Sequence, residues 1–177
     1  QSTLAGGTAD PAPRYTAVKV LGLSPANEAR GLPHMGGVIV LLARETGLPA
    51  GILEAGWITD MRTAAISLVA ARKLARKDAR RIGFLACGAQ ARSHLIALAA
   101  EFPIATVTAC SRRPETARAF AEWARARGFA ADVVEQSELV VRDHDIVVTS
   151  VPAAPGLQPT LDASWLAPGS FASLVDL

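Results

Sequence analysis

The chain has 177 residues, half of them hydrophobic and 19% charged, with a net charge of +2. That is material for one substantial core, or one full domain plus part of another. No basic stripe argues for nucleic acid as a partner, and no apolar run approaches the roughly 20 residues that span a bilayer. Two cysteines, Cys87 and Cys110, make neither a disulfide framework nor a metal site, so a reducing, cytoplasmic setting is the default. Residues 1–13 lack the basic start and apolar stretch of a signal peptide. The sequence begins at Gln1 and stops at Leu177 directly after a strand-like run, and it reads as a piece of a longer protein.

In chain order, residues 1–14 are rich in Gly, Ala, Thr and Pro without periodicity and read as loop or extended edge. Residues 17–21, 38–42 and 50–54 read as strands, with turn residues at 45–49 between the last two. Thr59 or Asp60 can cap a helix running to about Arg76. Its apolar face is Ala64, Ala65, Leu68, Val69 and Ala71, and Lys73, Arg76 and Lys77 suit the dipole at its end. From Arg80 strands and helices alternate. Strands are expected at 82–86, 105–110, 131–134, 146–148 and 171–175. Helices are expected at 88–101 and 114–127, the second closed by Gly128, with short ones after caps at Ser137 and Asp162. Such alternation predicts a parallel sheet with covered faces. The fold class is therefore α/β, a Rossmann-type parallel sheet preceded by part of a β-rich domain. The expected division is 1–58 for that β-rich part, 59–79 for a connecting helix and 80–177 for the dinucleotide-binding domain.

The strand ending at Ala86 runs straight into Cys87-Gly88-Ala89-Gln90-Ala91 and a helix. A dinucleotide fold needs a tight turn there, a backbone close to the pyrophosphate and helix N–H groups facing the anion. Gly88 occupies the second position of G-x-G-x-x-G/A, where a side chain would block the approach, and Ala91 the third. The first position is Ala86 rather than glycine. The alternative is a tight turn that holds no ligand. After the next strand comes Ser111-Arg112-Arg113, with no carboxylate to bind the adenosine ribose. Arg112 and Arg113, helped by Ser111, could instead hold a 2′-phosphate, so NADP(H) is the expected cofactor, with NAD(H) possible. The alternative leaves both arginines as solvated loop residues.

Four segments occur in order: Gly31-Leu32-Pro33, Glu45-Thr46-Gly47-Leu48-Pro49, Thr59-Asp60-Met61-Arg62-Thr63-Ala64-Ala65 and Gly88-Ala89-Gln90-Ala91. Together they resemble the ornithine cyclodeaminase/mu-crystallin family over nearly the whole chain, from about Lys19 onward. The resemblance implies NAD(P)-linked redox chemistry at the α-carbon of an amino or cyclic imino acid. It also implies a Rossmann domain joined to a β-rich domain that binds substrate and forms a homodimer. The crystallin side of the family supplies the alternative, a non-catalytic NADPH-binding protein.

The resemblance also implies roles. Lys19 matches the lysine that meets the substrate carboxylate, and Arg62 the arginine that touches substrate and cofactor. Thr63, Gly88, Ala89 and Gln90 fall in cofactor-binding segments. Thr149 lies in the segment lining the nicotinamide side, and His34 falls where many members carry a cofactor-contacting Thr or Ser. Two cations would fix a carboxylate and so orient the α-carbon for hydride transfer. The family's acid/base aspartate sits in a Gly-x-Asp segment, which in this register falls beyond Leu177; Asp176 is the nearby candidate. Arg14, the one early arginine, stands too close to Lys19 to match the family's second carboxylate-binding arginine. His94 and His144 are expected to be structural or exposed, and Cys87 a small buried residue.

Overall fold

A computed structural model describes residues 14–152, 158 and 160–176, and in it the chain divides into two compact units, Gln1–Thr59 and Asp60–Leu177. Apart from Arg14, the loop expected over residues 1–14 lies outside the described residues, as does Leu177.

The first unit holds an antiparallel three-stranded sheet in the order β1-β2-β3. The strands are β1 (Tyr15–Leu23), β2 (Met35–Ala43) and β3 (Pro49–Glu54). Each expected strand is present, and the first two extend beyond their expected ends. Gly47, at φ 71, closes the β2–β3 turn in the left-handed conformation that glycine tolerates. A 3-10 helix, Pro25–Arg30, links β1 to β2; it is too short to leave a helical period in the sequence. Cross-strand register puts Val18, Val40 and Ile52 in one row and Lys19, Ile39 and Leu53 in the next, on opposite faces.

Helix α1 (Gly56–Leu74) begins three residues before Thr59. Its first N–H groups are served from upstream, because the Glu54 carboxylate accepts from Gly56 N at 2.5 Å and Trp57 N at 3.4 Å. Thr59 and Asp60 are therefore inside the helix rather than capping it.

The second unit is a parallel five-stranded sheet in the order β6-β5-β4-β7-β8. Its strands are β4 (Arg81–Leu85), β5 (Thr106–Cys110), β6 (Ala130–Val133), β7 (Ile146–Thr149) and β8 (Phe171–Leu174). Helices α2 (Ala89–Ala99), α3 (Pro114–Arg125) and α4 (Ser137–Val141) alternate with them. Burial of Ile82, Phe84, Val107, Ala109, Ile146 and Val148 forms one core, into which α3 inserts Ala117, Phe120, Ala121 and Ala124. Phe84 and Phe120 meet edge to face at 5.0 Å. A smaller core on the other face gathers Leu85, Val147, Val140 and Val141. Helix α4 reaches it because Gly83 has no side chain; a Cβ there would lie 2.1 Å from the Val140 carbonyl oxygen.

Two cap expectations have different outcomes. Asp162 caps a 3-10 turn (Ala163–Trp165), accepting from Ser164 N at 2.8 Å. Ser137 does not cap α4; Gln136 holds that position and Ser137 is the first helical residue. Gly128 adopts φ 90 just after α3, the left-handed geometry expected of it. The strand order makes β4 and β7 the neighbours from which the chain winds outward in both directions. In such sheets a crevice opens at the C-terminal edge of these two strands.

Candidate dinucleotide-binding site

That edge is where β4 turns into α2. Ala86 adopts φ 68, so the turn requires a left-handed residue at the position where the pattern usually has glycine. Its N–H donates to the Cys110 carbonyl at 2.9 Å, locking the turn to the end of β5. Gly88 is the N-cap of α2, at φ −84, without a side-chain cap. A Cβ on Gly88 would meet nothing within 4 Å. Neither its backbone angle nor its protein neighbours require glycine, so the space stays free for something else. The first turn of α2 carries no acidic residue, and its leading N–H groups have no intrahelical acceptor. Gly88 and Ala89 are exposed and Gln90 is half-buried. The Gln90 amide donates from Nε2 to Asp60 Oδ1 at 2.7 Å, while its Oε1 is buried with no partner among the described residues. An uncapped positive helix end and an open face at Gly88 fit the anionic part of a dinucleotide, whereas the orphaned Gln90 acceptor fits a donor such as a hydroxyl or an amide N–H.

Register places the end of β5 beside this turn, since Leu85 pairs with Cys110. Ser111 is half-buried, and Arg112 and Arg113 are exposed. Arg112 forms no ion pair among the described residues, and Arg113 Nε lies 3.9 Å from Glu115. Cys87 is buried, as expected, and its pKa is not lowered by the helix end. Burial, reinforced by the nearby Cys110 thiol, pushes it up to about 12, which leaves a small inert core residue.

Across the switch point, Thr149 and Asp176 meet directly. Thr149 Oγ1 donates to Asp176 Oδ2 at 2.7 Å, and Val151 N donates to Asp176 Oδ1 at 2.6 Å. Thr149 is 1% exposed. On α1, Ala64, Ser67 and Ala71 are buried on the side that Asp60 shares. Arg62 is exposed on the opposite side of that helix, and Thr63 is half-buried. Lys19 and His34 belong to the first unit. Lys19 is the only half-buried position of β1, opposite the buried Ile39, whereas His34 is exposed.

The second unit also contains a polar cluster with no signature in the sequence. His94 is fully buried; its Nδ1 meets the Gln90 carbonyl at 2.7 Å and its Nε2 meets Ser67 Oγ at 2.9 Å. Ser173 Oγ adds a bond to Ser67 Oγ at 2.7 Å. Burial lowers the His94 pKa, against the Gln90 carbonyl, and keeps the ring neutral. His144 bridges the Arg142 carbonyl and Thr108 Oγ1 and is also lowered by burial.

The sequence pattern of the ornithine cyclodeaminase/mu-crystallin family matches residues 7–176. An alanine dehydrogenase of Archaeoglobus fulgidus is 32% identical over 161 residues, 91% of this chain and 48% of that protein. Among solved structures, the Thermococcus litoralis Delta(1)-pyrroline-2-carboxylate reductase in complex with NADH and L-proline is 32% identical with a TM-score of 0.83. The match covers 90% of this chain and 49% of the reductase. An archaeal alanine dehydrogenase dimer with bound NAD is 33% identical with a TM-score of 0.81, over 90% of this chain and 48% of that one. The chain thus spans about half the length of the relatives it matches. No described helix is long and apolar enough to cross a membrane. The sequence pattern, the relatives and the superposed architecture converge: the chain belongs to the ornithine cyclodeaminase/mu-crystallin family.

Proposed function

We propose that the chain forms the nicotinamide-dinucleotide-binding part of an oxidoreductase acting at the α-carbon of an amino or cyclic imino acid. The observation that carries it is the β4–α2 turn, where Gly88 leaves its Cβ space empty in front of an uncapped helix end. NAD(H) is the cofactor class of both structural relatives, one solved with NADH and one with NAD. When bound, the nicotinamide supplies hydride transfer. The chain's own residues bind and orient. The first turn of α2 holds the pyrophosphate, and Ser111, Arg112 and Arg113 favour a 2′-phosphate, making NADP(H) the preferred form. The roles that the family resemblance implies, substrate binding for Lys19 and Arg62 and cofactor binding for Arg62, Thr63 and His34, belong to this proposal. Asp176 holds Thr149 on the nicotinamide side and, being exposed with one hydrogen bond accepted on each oxygen, keeps lone pairs for an acid/base role.

Titration of NADPH and NADH tests this. Wild type is expected to bind NADPH about tenfold more tightly, and Arg112→Ala to lose most of that advantage while NADH affinity changes little. Tighter NADH binding in wild type overturns the phosphate preference alone. Absence of binding to either dinucleotide overturns the reading as a whole. Absorbance at the nicotinamide band with a panel of cyclic imines and amino acids then separates an enzyme from a binding protein.

A further inference from the structure

The α2 turn and the ends of β7 and β8 form one continuous edge. Ser150 N donates to the Leu85 carbonyl at 3.0 Å, and Ser150 Oγ donates to the Ala86 carbonyl at 3.5 Å. Val175 N donates to the Thr149 carbonyl at 3.0 Å, which brings the end of β8 alongside. From the turn outward the edge therefore runs from Ala86 past Ser150 to Asp176, two strand spacings of about 4.8 Å each. Topology decides which half of a dinucleotide covers it. The adenosine ribose belongs at the end of the strand that follows the pyrophosphate-binding helix. That strand is β5, on the other side of β4. With the pyrophosphate at the α2 turn, the nicotinamide half extends over β7 and β8.

Among the described residues 149–152, 175 and 176, Asp176 has the one ionisable side chain. Its carboxylate is held on both oxygens, accepting from Thr149 Oγ1 at 2.7 Å and from Val151 N at 2.6 Å. Thr149 is buried, so the carboxylate is anchored to the end of β7, while Asp176 itself stays exposed to whatever covers this edge. The two redox forms of a nicotinamide dinucleotide differ in charge only at the ring: the oxidised ring is positive and the reduced ring neutral. A fixed carboxylate attracts the first and not the second. We propose that Asp176 is a specificity-determining residue for redox state: its carboxylate, held by Thr149 and Val151, favours the oxidised dinucleotide over the reduced one. This rests on the dinucleotide reading of the α2 turn. It adds a preference that the turn cannot express, because the turn meets the pyrophosphate that both forms share.

Calorimetric titrations with NAD+ and with NADH isolate the ring charge, because contacts common to both forms cancel in the ratio of the two dissociation constants. Asp176→Asn keeps the size of the side chain and an acceptor for Thr149, and removes the charge. It should raise the dissociation constant of NAD+ about fivefold and leave that of NADH within about twofold of wild type. Asp176→Glu, which restores the charge, should restore the ratio. Thr149→Val removes a hydrogen bond but leaves the carboxylate, so it should weaken both forms alike. Glu135→Gln, beyond β6 on the adenosine side, should also leave the ratio unchanged. A carboxylate that serves only as a brace would make Asp176→Asn behave as Thr149→Val does, with equal losses for the two forms, and that result overturns the proposal. If Asp176→Asn does not fold, Asp176→Ser removes the same charge with a smaller side chain and is read in the same way. A wild-type chain that binds neither form sinks the dinucleotide reading and this inference with it. Binding of both forms at a ratio that loss of the charge does not move overturns this inference alone.

Discussion

Ala86 is held at φ 68, a conformation that costs a residue with a Cβ about 1–2 kcal/mol. Two residues on, Gly88 sits at φ −84 with open space around its missing side chain. The two positions invite opposite substitutions. Ala86→Gly should relieve the strain and, after glycine's own entropic cost, stabilise the fold by about 1 kcal/mol; thermal unfolding measures it, and a lower midpoint contradicts the assignment. Gly88→Ala should leave stability within about 1 kcal/mol of wild type while lowering NADH affinity at least about tenfold, because the new methyl occupies the room kept for the ligand. The sequence shows both residues as members of an imperfect glycine pattern. It does not show that the alanine is the strained one, since φ is set by the tie from Ala86 N to the Cys110 carbonyl, made across a strand pair. Cys87, by contrast, was legible as a small buried residue, and burial holds its thiol protonated against the nearby helix end.

At the scale of elements, Asp145 joins two junctions. Its carboxylate accepts from Arg80 N at 2.8 Å and Arg81 N at 2.9 Å and pairs with Arg76 at 3.1 Å, so the loop entering β7 is bound to the loop entering β4. Burial alone would raise its pKa, but these N–H donors and the guanidiniums of Arg76 and Arg81 outweigh it and hold the carboxyl below its ordinary range. A depressed folded value means that the contribution is complete above about 3.9, the ordinary aspartate value, and is lost as pH falls through the folded one. Asp145→Ala should cost about 2 kcal/mol near neutral pH in urea unfolding and should lack that acid-side loss. His94 acts in a separate window. Its folded pKa is lowered, so stability is full above about 6.5 and declines as pH falls from there toward the depressed value. The alternation of strands and helices was readable because each buries a periodic face, as Ala117, Phe120, Ala121 and Ala124 do. Helix starts were less readable, since Glu54 serves α1 from two residues upstream and leaves Thr59 and Asp60, better caps by type, for other work.

For the whole molecule, the first unit leaves Val18, Val20, Val38 and Ile52 exposed on one face of its sheet. An exposed β-branched face of this kind marks an interaction surface, and the related alanine dehydrogenase was solved as a dimer. Self-association through this face is the outcome to be tested. Sedimentation should find it, and Ile52→Glu should raise its dissociation constant at least about tenfold; an unchanged constant removes the face from the interface. Candidate-site residues close in sequence, such as Gly88, Ala89 and Gln90, were legible as one turn. The Ser67–His94–Ser173 cluster was not, because its partners lie 27 and 106 residues apart along the chain and no local period records them. The parallel sheet also has a direction. One edge carries the Asp145 staple, and the opposite edge carries the strained Ala86, the open Gly88 and the exposed Arg112. The Asp145 staple and the residues proposed to choose the ligand thus sit at different ends of the same strands. Such a separation makes the fold evolvable: cofactor preference can drift at one edge by substitutions that the other edge never registers.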